Sequence, residues 1–122
     1  VILIIIIMPN QIPTIFKPSG VSFCQKEISK LKKGDIVDLI LDTANKYDEY
    51  AIKVINKDGG SCGFVPRKME IMVEGKSKNI ELNKLIYVKW EKMQKKYNVK
   101  VYEIYKWNGP TGYELMFEKK TI

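Results

Sequence analysis

The chain has no histidine, one arginine and only two cysteines among its 122 residues. Without histidine, neither Ser-His-Asp nor Cys-His nucleophilic machinery can be assembled. Two cysteines and no histidine do not complete an ordinary structural zinc site unless carboxylates are brought in. They make no disulfide framework either. Cys24 and Cys62 read instead as free thiols, small apolar groups of a reducing compartment. No G-x-x-x-x-G-K loop is present to cradle phosphates, and the 14 carboxylates are scattered along the chain. These absences argue against an enzyme, and no metal or cofactor is expected.

Long apolar runs are scarce as well. The opening VILIIIIM is far shorter than the roughly 20 residues that span a bilayer. No basic segment precedes it and no small-residue cleavage site follows, so it does not read as a secretion signal. The chain starts at Val1, which leaves room for an upstream piece. Consecutive β-branched residues favour a strand, here one buried on both faces. Left unpaired it would be an aggregation hazard, so it belongs inside a sheet or against a second chain. A homodimer through this strand is one expectation; contact with a membrane is not.

What the chain does have is enough apolar material for one core: 45% hydrophobic and 11% aromatic residues, read as a single domain over 1–122. Its formal charge of +7 points to an anionic partner. Codon usage in an AT-rich genome would favour the same lysine, isoleucine and asparagine content, so the charge gains meaning only where lysines share a face. The expected setting is the cytoplasm of a bacterium, or the nucleus if the source is eukaryotic.

Along the chain, MPNQIPTIFKPSG reads as an irregular connection and VSFCQ as a short strand. EISKLKKG has helical spacing at Ile28 and Leu31, with Gly34 as a stop. DIVDLILD puts Val37, Leu39 and Leu41 on one face and Ile36 and Ile40 on the other, a strand covered on both sides. AIKVI and SCGFV flank NKDGG as a hairpin, and Gly63 suggests a bulge or a close backbone approach. Pro66 fits the first position of a helix carrying Met69, Met72 and Val73. NKLIYVKWEKM and YNVKVYEIYK read as a second hairpin, with a bulge near Ile104. YELMFEKKTI is a last strand. The fold class that follows is mainly β with one or two short helices, a small OB-like or SH3-like barrel.

The stretch NKYDEYAIKVINKDGGSCGFVPR concentrates the chemistry. Tyr47 precedes one arm of the hairpin and Phe64 ends the other, so their rings could share a groove. Such aromatic platforms stack nucleobases, at roughly 1–3 kcal/mol per base. Arg67, following Pro66, would meet a phosphate where helix N–H groups also point. Asp48 is the odd member, because a carboxylate repels a phosphodiester. It makes sense at a chain terminus, where a 3′-hydroxyl donates to it and a continuing phosphate meets like charge.

At these residues the chain resembles the HIRAN domain, a small OB-like barrel found at the front of some SNF-type DNA-remodelling ATPases and in bacterial proteins. The likeness runs from about residue 20 to 106. It rests on the Asn-x-Tyr-Asp turn, the Ala-Ile-x-Val strand and the Gly-aromatic-Val-Pro-Arg return. It implies a cap for single-stranded DNA ends that binds the 3′-hydroxyl. Tyr47 and Asp48 would then hold the terminal nucleotide, Asn45 would shape the turn, Phe64 would line the groove and Arg67 would meet a phosphate. Lys46 stands where the family has proline and adds a cation. Glu49 and Tyr50 separate Asp48 from the strand. Ser22-Phe23-Cys24 corresponds to an early strand that elsewhere carries an arginine and paired tyrosines, so Phe23 keeps one ring of that set.

Each of these residues also has a plainer reading. Asp48 in a turn is commonly an Asx-type backbone acceptor, and Tyr47 and Phe64 serve equally as rim aromatics. Lys30, Lys32 and Lys33, the Lys76–Lys78 pair, and Lys92, Lys95 and Lys96 read as solvated tips. Tyr97, Tyr102, Tyr105, Trp90 and Trp107 read mostly as core. Two functions therefore stand open. One is a non-catalytic module for single-stranded or frayed DNA ends, with chemistry supplied by a larger ATPase or nuclease partner. The other is a protein-interaction module that uses an exposed edge strand.

Overall fold

Alternation of apolar with polar residues favours strands, and the described residues contain eight strands. The computed structural model describes residues 12–121. In chain order these are β1 (Ile15–Phe16), a 3₁₀ turn (Val21–Phe23), α1 (Gln25–Ile28), β2 (Ile36–Leu41), β3 (Ile52–Ile55), β4 (Ser61–Phe64), β5 (Met69–Val73), β6 (Lys76–Ile80), α2 (Leu82–Lys96), β7 (Tyr97–Tyr105) and β8 (Gly112–Lys119). The mainly β character expected from the sequence holds. Six strands form one sheet in the order β1-β8-β7-β2-β3-β4, and β5-β6 is a separate hairpin. The VILIIIIM run lies outside the described residues.

The inward face carries Phe16, Val37, Leu39, Ile52, Val54, Val99, Val101, Tyr113, Leu115 and Phe117. Leu82, Ile86 and Met93 of α2 and Ile71 of β5 belong to the same core, with Ile28, Leu31, Cys62, Val65 and Ile80 among the others. Tyr113 is fully buried, and its hydroxyl donates to the Cys62 carbonyl at 2.6 Å, so the largest core ring brings a partner for its polar atom. The sheet is not closed by a strand ladder. Its two ends approach at a single antiparallel bridge, Ser19 to Phe64, three residues beyond β1.

Gly63 makes that approach possible. Lys53 faces Phe64 and Ile55 faces Ser61, so β4 carries an extra residue between them. Gly63 takes a φ of 121°, and a Cβ there would lie 2.6 Å from the Ser19 carbonyl oxygen. Both readings of this glycine, bulge and close contact, therefore apply. A second bulge falls between Val101 and Glu103, next to the position where Ile104 breaks the alternation.

Several expectations are corrected. NKLIYVKWEKM is not a strand; it lies in α2, and the long hairpin is β7–β8. Its apolar residues satisfied a period of two over a short window, yet Leu82, Ile86 and Met93 bury a helical stripe. The surrounding Lys, Leu, Glu, Gln and Met are strong helix formers, and Lys95 and Lys96 suit a helix C-terminus. The segment after Pro66 is not a helix. Glu74 (φ 51°) and Gly75 (φ 76°) form a two-residue turn joining β5 to β6. VSFCQ spans the 3₁₀ turn and the start of α1. The outer face of β2 is not covered either, because Ile36 and Ile40 are each about half exposed. They border an open cleft shared with Trp90 and Gln94 of α2. Trp107, read as core, is 80% exposed.

Candidate nucleic-acid interface

The connection from β2 to β3 is built by side chains that substitute for backbone partners. Asn45 Oδ1 accepts from the Tyr47 and Asp48 N–H groups at 2.8 and 3.0 Å. Asp48 Oδ1 accepts from the Tyr50 N–H at 2.9 Å. These are successive Asx-type turns, the local bonding that lets Asn and Asp shape a loop. The loop base is closed by Asp42 N–H donating to the Ala51 carbonyl at 2.8 Å. At its apex the Tyr47 side chain is left almost entirely in solvent, with the residue 96% exposed.

Asp48 thus acts as a turn acceptor with one oxygen. Its other oxygen, Oδ2, faces α2 and accepts from Asn83 Nδ2 at 2.8 Å. Asn83 is buried, only 3% exposed, and its Oδ1 accepts from the Lys84 N–H at 2.7 Å. A buried amide therefore fixes the carboxylate plane from the helix side. A carboxylate offers about four lone-pair positions, so these two bonds leave acceptor capacity for a ligand hydroxyl.

The same helix supplies part of the wall. Tyr50 packs edge-on against Tyr87, ring centroids 5.0 Å apart, and Lys84 Nζ lies 5.5 Å from the Tyr50 ring centre. Arg67 approaches from a bend between β4 and β5, where it is exposed. Tyr47, Asp48, Arg67, Asn83 and Lys84 line one open hollow of about 310 Å³. That size sits at the lower end of the roughly 300–1,000 Å³ range for small-ligand sites.

Of the sequence-predicted residues, the structure brings Tyr47, Asp48 and Arg67 together around this hollow. Asn45 lies beneath it as the turn's acceptor, and Lys46 is exposed on the same loop. Phe64 does not line it. Phe64 pairs with Lys53, which takes the outward position of β3, and its ring sits against Gly20. Phe23, 92% exposed, is on the 3₁₀ turn that Gly20 caps. Neither phenylalanine lines the hollow. Arg67 does not sit at a helix N-terminus, because the residues after Pro66 enter a strand.

Sequence reasoning missed Tyr50, Glu81, Asn83 and Lys84. Three of these come from α2 and its leading residue, the element misread as a strand. Helix-forming composition over 82–96 was the signal that could have found them. Glu81 also changes the charge balance. The hollow is lined by two cations, Arg67 and Lys84, against three carboxylates, Asp48, Glu49 and Glu81.

A family model described as HIRAN domain matches residues 15–101. No curated protein and no solved structure matches the chain.

Proposed function

This chain belongs to the HIRAN domain family, whose members are known as DNA-binding modules, and on that premise we propose that it is a non-catalytic module that engages single-stranded or frayed DNA ends. The observation that carries the reading is the shared hollow of Tyr47, Asp48 and Arg67, contributed by two separate segments. Tyr47, held out by its loop, offers a face for the terminal base. Arg67 and Lys84 supply donors for the phosphate of the last nucleotide. Asp48 accepts from the 3′-hydroxyl.

The carboxylates favour an end over a strand interior. A phosphate continuing past the 3′ oxygen would enter a wall with three negative groups, and like charge at that range costs free energy that a neutral hydroxyl avoids. The net charge of +7 supplies the long-range attraction that the hollow itself lacks. Chemistry on the DNA would come from a larger ATPase or nuclease partner, and the module itself would need no metal.

Fluorescence anisotropy over a salt series tests this. A 3′-hydroxyl oligonucleotide should bind more tightly than its 3′-phosphate counterpart, and Asp48→Ala should erase the difference. Arg67→Ala should weaken both and lower the salt slope by about 1. Equal binding of the two ends by the wild type would sink the end-recognition reading.

A protein-interaction role is the second reading, and one observation favours it. The outer face of β2 exposes Ile36 and Ile40 beside Trp90, an apolar strip that a partner's apolar surface could cover. β2 is an inner strand between β7 and β3, so this is packing on a sheet face and not the edge-strand pairing expected from the sequence. Failure to bind any oligonucleotide at low salt would transfer the case to it.

A further inference from the structure

A second hollow, of about 370 Å³, adjoins the first and shares Glu81 and Lys84 with it. Its sides come from β6 and α2. Ile80, Leu85 and Val88 supply an apolar floor, and Lys78, Lys84 and Lys89 supply the rim. On the helix, Lys84, Leu85, Val88 and Lys89 fall at spacings that place them along one face. Val88 is 68% exposed there, a β-branched apolar side chain between two lysines.

The two hollows have opposite charge balances. The first holds two cations against three carboxylates. The second holds three cations and a single carboxylate, Glu81, which lies on the shared wall. A polymer with an uncharged terminal hydroxyl and a charged backbone matches that order: hydroxyl at the acidic end, phosphates at the basic end. An apolar floor between lysines suits a base lying flat with its phosphates to either side.

We propose that the β6–α2 hollow is the second subsite of the DNA strand, holding the nucleotides next to the one whose 3′-hydroxyl meets Asp48. This rests on the end-binding reading and adds a direction to it: the strand leaves the first hollow across α2, through Lys84. Lys84 spans both subsites. Lys89 neutralises the backbone beyond, and Val88 and Leu85 carry the base.

The test uses the intact chain and 3′-hydroxyl oligothymidines with a fluorophore at the 5′ end: a dinucleotide, and strands of roughly four and eight nucleotides. Wild-type affinity should rise with length. Val88→Glu and Lys89→Glu should weaken the longer strands by about fivefold or more and flatten the length dependence, leaving the preference for 3′-hydroxyl over 3′-phosphate intact. Val88 is exposed and Lys89 partly so, so the variants should fold, as thermal unfolding would verify. Lys57→Glu, on the exposed β3–β4 turn, makes the same two-unit charge change as Lys89→Glu elsewhere and should alter affinity by less than about twofold. The subsite is overturned if the longer strands bind the Val88 and Lys89 variants as tightly as the wild type, or if Lys57→Glu loses as much. Absence of binding by the wild type to every strand overturns the end-binding reading as well.

Discussion

Asn83, buried at the start of α2, donates a 2.8 Å hydrogen bond to Asp48 on the β2–β3 loop, across 35 positions of sequence. It ties α2 to the β2–β3 loop, which carries the candidate end-binding carboxylate. Replacing Asn83 with Ala leaves Asp48 Oδ2 without its donor and the Lys84 N–H without its acceptor. The expected cost is about 1–3 kcal/mol, read as a lower urea midpoint. The preference for a 3′-hydroxyl should shrink in parallel, because the carboxylate loses its orientation. Unchanged end preference in a folded Asn83→Ala protein would show that Asp48 is held adequately by the Tyr50 N–H alone.

Glu49 is exposed and lines the first hollow. Glu49→Gln removes one of three negative groups facing an incoming strand. Oligonucleotide binding should tighten by about two- to fivefold at low salt, the scale of a solvent-screened charge contact. The gain should be larger for a 3′-phosphate end and should fade as salt is raised. Glu91→Gln, an exposed α2 position outside the hollow, is the matched control. An equal gain from Glu91→Gln would mean that only net charge matters.

Gly63 combines a φ of 121° with a backbone oxygen 2.6 Å from where a Cβ would sit. Gly63→Ala should therefore destabilise the domain by about 2–4 kcal/mol, since strain of this backbone type alone is worth about 1–3 kcal/mol. Denaturant unfolding measures it. A cost under about 1 kcal/mol would show that the Ser19–Phe64 bridge separates easily.

Burial pushes the Cys62 thiol up from an ordinary value near 9.0 to about 11. The unfolded chain releases this proton at lower pH than the native one. The associated stability is therefore complete below about pH 9 and is lost as pH rises toward about 11. The slope reaches about 1.4 kcal/mol per pH unit in that window. Urea midpoints between neutral and strongly alkaline pH should fall accordingly, and Cys62→Ala should flatten the fall. Tyr113, raised in the same direction by burial, keeps part of the alkaline loss in the variant. At neutral pH a thiol reagent should modify half-buried Cys24 well before Cys62.

The parts of the fold that were legible in the sequence are those set by local chemistry. Asn56 and Gly59 wrote the β3–β4 turn: Asn56 Oδ1 accepts from the Asp58 and Gly60 N–H groups, and Gly59 takes a positive φ. Val37 and Leu39 wrote the inner face of β2. The residues 69–96 were not legible in this way. Glu74-Gly75 is an unusual composition for a two-residue hairpin turn, and Met69, Met72 and Val73 fit a helix period as well as a strand. The α2 stripe is mixed with Tyr, Val and Trp, which favour strands when taken alone. The site divides along the same line. Asn45, Tyr47, Asp48 and Arg67 could be found because the loop and the β-arms around them are local. Asn83 and Lys84 could not, because their proximity to Asp48 depends on how a helix docks. Phe64 was placed at the correct end of its strand, but β-pairing with Lys53 turns it to the outer face.

The stretch Thr14–Ser19 joins both margins of the main sheet. Thr14 accepts from the Phe117 N–H at 2.8 Å, Ile15 and Phe16 pair with Met116 and Leu115, and Ser19 exchanges hydrogen bonds with Phe64 at 2.9 Å. On the ribosome, residues 14–16 thus wait for partners about a hundred positions downstream. Loop closure over that distance is entropically slow. While the chain is still emerging, β2, β3 and β4 can assemble, but the seam cannot be sewn until β8 has left the exit tunnel. A nascent chain stalled before Gly112 would carry an open edge at β7, the stage at which a chaperone would be needed most.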